Sequence, residues 1–226
     1  MKFFIDSAKI DEIDRAYKYY KIDGITTNPN HIMASGKPFL TAIKDIANWV
    51  KKNDLLGIDK FPVSVEINPH LETAKDMVKE ARKISKICEN FVIKIPCTLE
   101  GLLAAKTLEE EGIRTNVTLV FSPSQAIQAG RISAKFVSPF LGWKENDGED
   151  TYAYMEKIAN IYAVKGYKTE IIGAAVRNGK QISDLTELDV DIITCGLSVL
   201  EDSFTHPYTT YGLGVFSNAW DKTEGN

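Results

Sequence analysis

Two periods of hydrophobic spacing alternate along this chain. Short runs rich in β-branched and aromatic residues fall at Lys2–Asp6, Ile22–Thr27, Pro62–Ile67, Phe91–Pro96, Arg114–Phe121, Lys135–Phe140, Glu170–Val176 and Val190–Cys195, and they predict eight strands. Stretches of helical spacing separate them. In the clearest, Leu71, Ala74, Met77, Val78, Ala81, Ile84 and Cys88 form one apolar stripe, while Lys75, Asp76, Lys79, Glu80, Arg82 and Lys83 occupy the other faces. Thr98 before Leu99-Glu100 reads as a helix N-cap with an acidic first turn, and Gly112 after Glu109-Glu110-Glu111 reads as a stop. Ser122-Pro123-Ser124 opens a further helix as a cap. The tail from His206 to Trp220 carries Tyr208, Tyr211, Val215, Phe216 and Trp220 on what reads as an amphipathic helix, over about residues 207–221.

Strand then helix, repeated with short connections, implies parallel strands joined by right-handed crossovers. Eight such units close into a barrel, and an open doubly wound sheet is the rival arrangement. No GxGxxG follows the first strand, and unusual polar residues sit on many strands rather than on the two that flank a nucleotide crevice. The expected fold is therefore α/β, an eight-stranded parallel (β/α)8 TIM barrel with an extra C-terminal helix. No linker, repeat or low-complexity segment divides the chain, so residues 1–226 are read as a single domain.

Composition removes whole classes of function. With 27 Lys+Arg against 31 Asp+Glu the net charge is −4, which lacks the footprint of a nucleic-acid binder. Hydrophobic residues make up 44% and charged residues 26%, an ordinary globular composition that argues against disorder. Met1-Lys2-Phe3-Phe4-Ile5-Asp6 meets an acidic residue too early for a signal peptide, and no later run reaches membrane-spanning length. Cys88, Cys97 and Cys195 form no CxxC pair, so reduced thiols and a cytoplasmic location are expected. His31, His70 and His206 lack metal-ligand spacing, and no glycine-rich phosphate loop is present, so neither a metal nor a cofactor is expected.

In a barrel, alternate strand positions point inward, where branched apolar residues normally fill the layers. Here the strands carry Asp6; Thr26, Thr27 and Asn28; Glu66 and Asn68; Lys94; Asn116 and Thr118; Ser138; and, after Ala174-Ala175-Val176, Arg177. The pairs Asn116/Thr118 and Lys94/Pro96 obey a period of two, so each pair shares a face. One such residue alone is explained as a strand-end group capping the next helix. Seven strands bearing them together are not, because every buried polar group must be bonded or functional.

Lys94, between Ile93 and Ile95, has two readings. Its stem can snorkel to the rim with the charge in water. Alternatively it is desolvated, which disfavours the ammonium and leaves an amine able to attack a carbonyl. The acidic neighbours favour the second: Asp6 suits general acid/base work, and Glu66 with Thr118 can hold a water that relays protons.

Phe4-Ile5-Asp6-Ser7-Ala8, Gly24-Ile25-Thr26-Thr27-Asn28-Pro29, Val92-Ile93-Lys94-Ile95-Pro96, Thr115-Asn116-Val117-Thr118-Leu119 and Val137-Ser138-Pro139-Phe140, in this order, resemble the short transaldolases, a family that includes the fructose-6-phosphate aldolases. The resemblance spans essentially the whole chain. It implies a Schiff base on Lys94, acid/base cleavage by Asp6, a catalytic water held by Glu66 and Thr118, and hydroxyl contacts from Asn28, Asn116 and Ser138, with Thr26 beside them. It also implies a homo-oligomer, often a pentamer-based ring, in which the C-terminal helix meets neighbouring subunits. The plainer reading of that helix is a cover for its own barrel.

The chain departs from the family where a Gly-Arg normally grips the substrate phosphate. It has Phe140-Leu141-Gly142-Trp143, while Arg177 is kept and the usual serine two residues before it is Ala175. Losing one guanidinium fork weakens the hold on a dianion. An indole N–H plus one arginine suits a singly charged tetrahedral anion such as a sulfonate; with His31-Ile32-Met33-Ala34-Ser35-Gly36-Lys37-Pro38-Phe39 and Phe140-Leu141-Gly142-Trp143, the chain resembles the sub-branch of transaldolases acting on 6-deoxy-6-sulfofructose. The rival is that Lys144, or another cation, replaces the lost arginine and a sugar phosphate remains the donor. A sugar-binding barrel without catalysis is a third reading, disfavoured by the survival of Lys94, Asp6 and Glu66 together.

Overall fold

In the computed structural model, which describes residues 1–223, eight strands form one closed, all-parallel barrel in the order β1 to β8. The strands are β1 (Lys2–Asp6), β2 (Gly24–Thr26), β3 (Val63–Glu66), β4 (Phe91–Pro96), β5 (Thr115–Val120), β6 (Phe136–Pro139), β7 (Glu170–Val176) and β8 (Ile192–Cys195). Every predicted strand is present, several trimmed by one or two residues where ladder pairing stops. The helices are α1 (Ile10–Tyr20), α2 (Pro29–Ala34), α3 (Phe39–Lys52), α4 (Ala74–Ile84), α5 (Leu99–Glu110), α6 (Pro123–Arg131), α7 (Gly142–Asn146), α8 (Thr151–Lys165), α9 (Gly179–Glu187), α10 (Leu197–Asp202) and α11 (Pro207–Trp220).

Local signals in the chain account for the helix limits. The Thr98 hydroxyl accepts from the Gly101 N–H to start α5, and the Ser122 hydroxyl accepts from the Gln125 N–H to start α6. Gly112 takes φ +78° just past the end of α5, a conformation that costs glycine little. The stripe on α4 is buried at Ala74, Met77, Val78, Ala81 and Ile84, so its apolar face meets the barrel wall.

Burial separates into two layers. A large cluster lies between strands and helices, and a smaller one, Phe4, Val92, Phe136, Ile172 and Ile192, packs with Ile58 against it. Phe4 meets Phe136 edge-on, with centroids 6.0 Å apart. A Cβ on Gly24 would fall 2.6 Å from the Phe4 ring, so glycine there is what lets the ring fill the interior. Two residues along each strand from this apolar floor stand Asp6 (after Phe4), Lys94 (after Val92), Ser138 (after Phe136) and Thr194 (after Ile192). The period of two thus stacks a polar layer on an apolar plug.

Two strands break register near their carboxyl ends. The β5–β6 pairing shifts between Val117 and Val120, and the β7–β8 pairing between Gly173 and Val176. Within those shifts Leu119 and Ala175 each adopt φ of +55°. A left-handed non-glycine residue costs about 1–2 kcal/mol. These bulges turn the chain where it borders the barrel mouth.

The C-terminal helix does not cover its own barrel. No residue of α11 is buried, and Tyr208, Tyr211, Leu213, Val215, Phe216 and Trp220 are all exposed. Among the described residues no helix is long and apolar enough to cross a membrane.

Candidate active site

The carboxyl ends of the strands surround a cavity of about 460 Å³. Of the ten residues singled out from the sequence, eight line it: Asp6, Thr26, Asn28, Glu66, Lys94, Ser138, Trp143 and Arg177. Asn116 and Thr118 are fully buried and do not.

Lys94 does not reach out to water. Only 4% of its surface is exposed, its Nζ donates to the Thr27 carbonyl at 3.1 Å, and Glu66 Oε2 lies 3.4 Å away. Strand register explains the pairing, since Glu66 on β3 is the direct partner of Lys94 on β4, and Lys94 in turn is level with Asn116 on β5. Of the two readings of Lys94 from sequence, the stem that snorkels to the rim does not match this burial.

Asp6 is held from two sides. The Thr26 hydroxyl donates to Oδ1 at 2.8 Å and lies 2.5 Å from the Thr194 hydroxyl. His31 Nε2 stands 3.2 Å from Oδ2. Burial pushes the Asp6 carboxyl up, but the hydrogen bond and charge of His31, the charge of Lys94 and the Thr26 hydroxyl together hold it below the usual carboxylate range. Glu66 moves the other way. Burial pushes it up, the charge and hydrogen bond of Lys94 oppose this only in part, and the nearby Asp6 charge adds to the rise. Two carboxyl groups driven apart by their surroundings are suited to opposite proton tasks, Asp6 as base and Glu66 as acid.

Asn116 is already engaged. Its amide donates to Ser64 Oγ at 3.0 Å and its carbonyl accepts from Ser138 Oγ at 2.8 Å, a chain that crosses the interior from β3 to β6. Thr118 differs, because its hydroxyl is buried with no hydrogen-bond partner. It stands level with Pro96 of β4, one inward position beyond Asn116, and an orphan buried hydroxyl is the kind of group that a water satisfies. The Asn28 side chain caps α2 by accepting from the His31 N–H at 3.1 Å.

At the far wall, Trp143 is half exposed, stacked on Phe121 and edge-on to Phe140. Arg177 lies over Gly142, where an added Cβ would come within 2.5 Å of its Nε. Its Nη1 reaches the Asn146 side-chain oxygen at 3.1 Å, in the amide orientation that also lets Asn146 donate to the Gly142 carbonyl. Lys144 is absent from this wall. It is buried against Glu149 and over the Tyr154 ring, with Nζ 4.8 Å from the centroid. Successive residues on a helix diverge by about 100°, so Trp143 and Lys144 on α7 cannot face the same cavity. The idea that Lys144 takes over the role of the missing arginine does not hold.

Two residues of the site went unread in the sequence, Thr194 and His31. Thr194 obeys the same period of two as the other inward groups, so the signal was available. His31 stands three residues past Asn28 at the start of α2, which carries it back over the end of β1.

At the carboxyl ends of this parallel (β/α)8 barrel, one cavity thus gathers a buried lysine, two carboxyl groups of opposite tendency, a tryptophan and an arginine. The family model described as Transaldolase/Fructose-6-phosphate aldolase matches residues 3–224, and this chain belongs to that family. It is a transaldolase-type enzyme, a transferase. Two proteins named 6-deoxy-6-sulfo-D-fructose transaldolase, from Priestia aryabhattai and Priestia megaterium, are each 60% identical over 223 residues, covering 99% of this chain and 96% of theirs. A probable transaldolase from Hydrogenobaculum sp. is 42% identical over 98% of this chain and 97% of its own.

Proposed function

We propose that this enzyme transfers a dihydroxyacetone unit from a ketose with an anionic sixth carbon, 6-deoxy-6-sulfofructose, to an aldose phosphate such as glyceraldehyde 3-phosphate, through a Schiff base on Lys94. One observation carries the reading: a buried amine held between Thr27 and Glu66 in the cavity that also contains Asp6. The amine attacks the ketose carbonyl, and Glu66 delivers a proton to the departing oxygen, which leaves as water, with Thr118 holding the water that relays it. Asp6 then takes the proton of the C4 hydroxyl. The C3–C4 pair flows to the iminium nitrogen, giving an enamine and a free aldehyde. The acceptor aldehyde adds in the reverse sense, receives the Asp6 proton, and water releases the new ketose.

Asn28 and Ser138 are placed in this reading at the dihydroxyacetone hydroxyls, with Asn116 holding Ser138 in position. Trp143 and Arg177 receive the anion. The sulfonate preference is supported by the names of the two Priestia relatives, by the tryptophan in place of arginine, and by the engagement of Lys144 elsewhere. A single net charge needs fewer donors than a phosphate dianion.

Residues 1–226 act here as a single transaldolase-like domain in the cytoplasm, in a homo-oligomer, pentamer-based by family resemblance. The exposed apolar side chains of α11 support an interface between subunits. Light scattering on the eluted protein tests this, and a 25.2 kDa species would count against it.

Borohydride reduction in the presence of ketose, with peptide mass mapping, tests the chemistry. An adduct on Lys94 is expected, and none would favour a non-catalytic sugar binder. Steady-state comparison of sulfofructose with fructose 6-phosphate tests the anion, and a strong preference for the phosphate would end the sulfonate assignment.

A further inference from the structure

His31 faces two spaces. It lines the catalytic cavity and also an outer cleft of about 400 Å³ on the other side of Asp6. Asp6 lines both as well, so the pair forms the partition between them. A carboxylate only accepts hydrogen bonds, so His31, 3.2 Å from Oδ2, serves that oxygen when its hydrogen is on Nε2. The backbone that carries the ring is anchored, because its own N–H is bonded to the Asn28 cap.

The geometry points to His31 as a positioning residue for the transferase reaction: its ring N–H holds one oxygen of Asp6 while the Thr26 hydroxyl holds the other, and this double grip keeps the carboxylate oriented for the substrate's C4 hydroxyl. The inference rests on the role given to Asp6 above. A base freed from one grip can rotate about its side-chain torsions, and misplacement of a reacting group by about 1 Å costs on the order of a hundredfold in rate. The grip also acts electrostatically. Lys94 and Glu66 face Asp6 from β4 and β3, the Cys195 thiol from β8, and Lys9, Glu12 and Glu201 line the outer cleft behind it. Lys9 and Glu12 are paired with each other, and Glu201 is paired with Arg15, so the outer charges are largely matched. Lys94 remains in every variant below, which leaves the His31 contact as the quantity under test.

The experiment is the pH profile of kcat for wild type, His31→Phe and His31→Gln, with whichever of the two ketoses turns over faster. Folding is checked by the melting transition, and the amine by borohydride trapping on Lys94. Phenylalanine fills the ring volume without the N–H. It is expected to move the acid limb of kcat up by about one pH unit, roughly a tenfold loss on the acid side, with KM changed less than about twofold. Glutamine supplies an N–H donor without a titrating ring and is expected to recover most of that loss. An acid limb unmoved by phenylalanine, or equal losses in the two variants, overturns the proposal. Absence of trapping on Lys94 in the wild type strikes the Schiff-base reading, and this one with it. Trapping that persists beside an unmoved limb strikes His31 alone.

Discussion

Replacing Lys94 with methionine keeps the side-chain volume and removes the amine. Turnover is expected to vanish, since no other amine lines the cavity among the described residues. The stability change is more informative. Removing one partner of a buried ion pair costs about 3–5 kcal/mol when the other charge is left stranded. Glu66 need not stay charged. Its carboxyl already sits above the 4.5 of an ordinary glutamate because of burial, with Lys94 acting against that rise, and losing Lys94 lets it climb further. The folded variant therefore holds a proton that the unfolded chain releases.

For a group raised on folding, the stabilising state is the protonated one. It is fully present below the unfolded value, 4.5, and is lost as pH rises toward the folded value. Across that window one proton gives a slope of about −1.4 kcal/mol per pH unit. The wild type shares this slope up to its own raised Glu66 value, so Lys94→Met is expected to lose stability relative to the wild type progressively as pH rises beyond that point. Urea unfolding near about pH 5 and about two units higher measures this, and Lys94→Met with Glu66→Gln supplies the control, which should flatten the profile. A single variant whose deficit is the same at both pH values would refute the reasoning, as would residual turnover near that of wild type.

Other consequences follow from the same geometry. Trp143→Arg is expected to raise kcat/KM for fructose 6-phosphate relative to sulfofructose by about tenfold or more, the worth of one charge-assisted hydrogen bond, read in steady-state assays. Thr118→Val removes an unpartnered buried hydroxyl, so the melting temperature should hold or rise while imine trapping slows by about a hundredfold; equal trapping rates would remove Thr118 from the water site. Gly142→Ala places a Cβ 2.5 Å from Arg177 Nε and from the Ala175 carbonyl, so KM for an anionic ketose should rise with kcat little changed, and an unchanged KM would detach Arg177 from the anion.

The barrel was readable because each strand declares itself by composition and its inward face by alternation. Asp6, Glu66, Lys94 and Ser138 all fall at the inner position that follows from counting by two, which is why they converge. Three features escaped. The positive φ of Leu119 and Ala175 leaves no mark in the sequence, since neither residue type favours that conformation. The separation of Trp143 from Lys144 depends on their lying in α7, a helix too short to show a period. The role of His31 depends on a contact between the first turn after β2 and the end of β1, and a search for metal spacing does not test for it.

Phe4 and its apolar neighbours, admitted by Gly24, make the barrel a cul-de-sac. With the rear closed by these side chains among the described residues, the departing aldehyde and its replacement use the same doorway in turn. With the three-carbon unit left on Lys94 between these two passages, as proposed above, double-displacement kinetics with parallel lines in reciprocal plots at varied acceptor are expected.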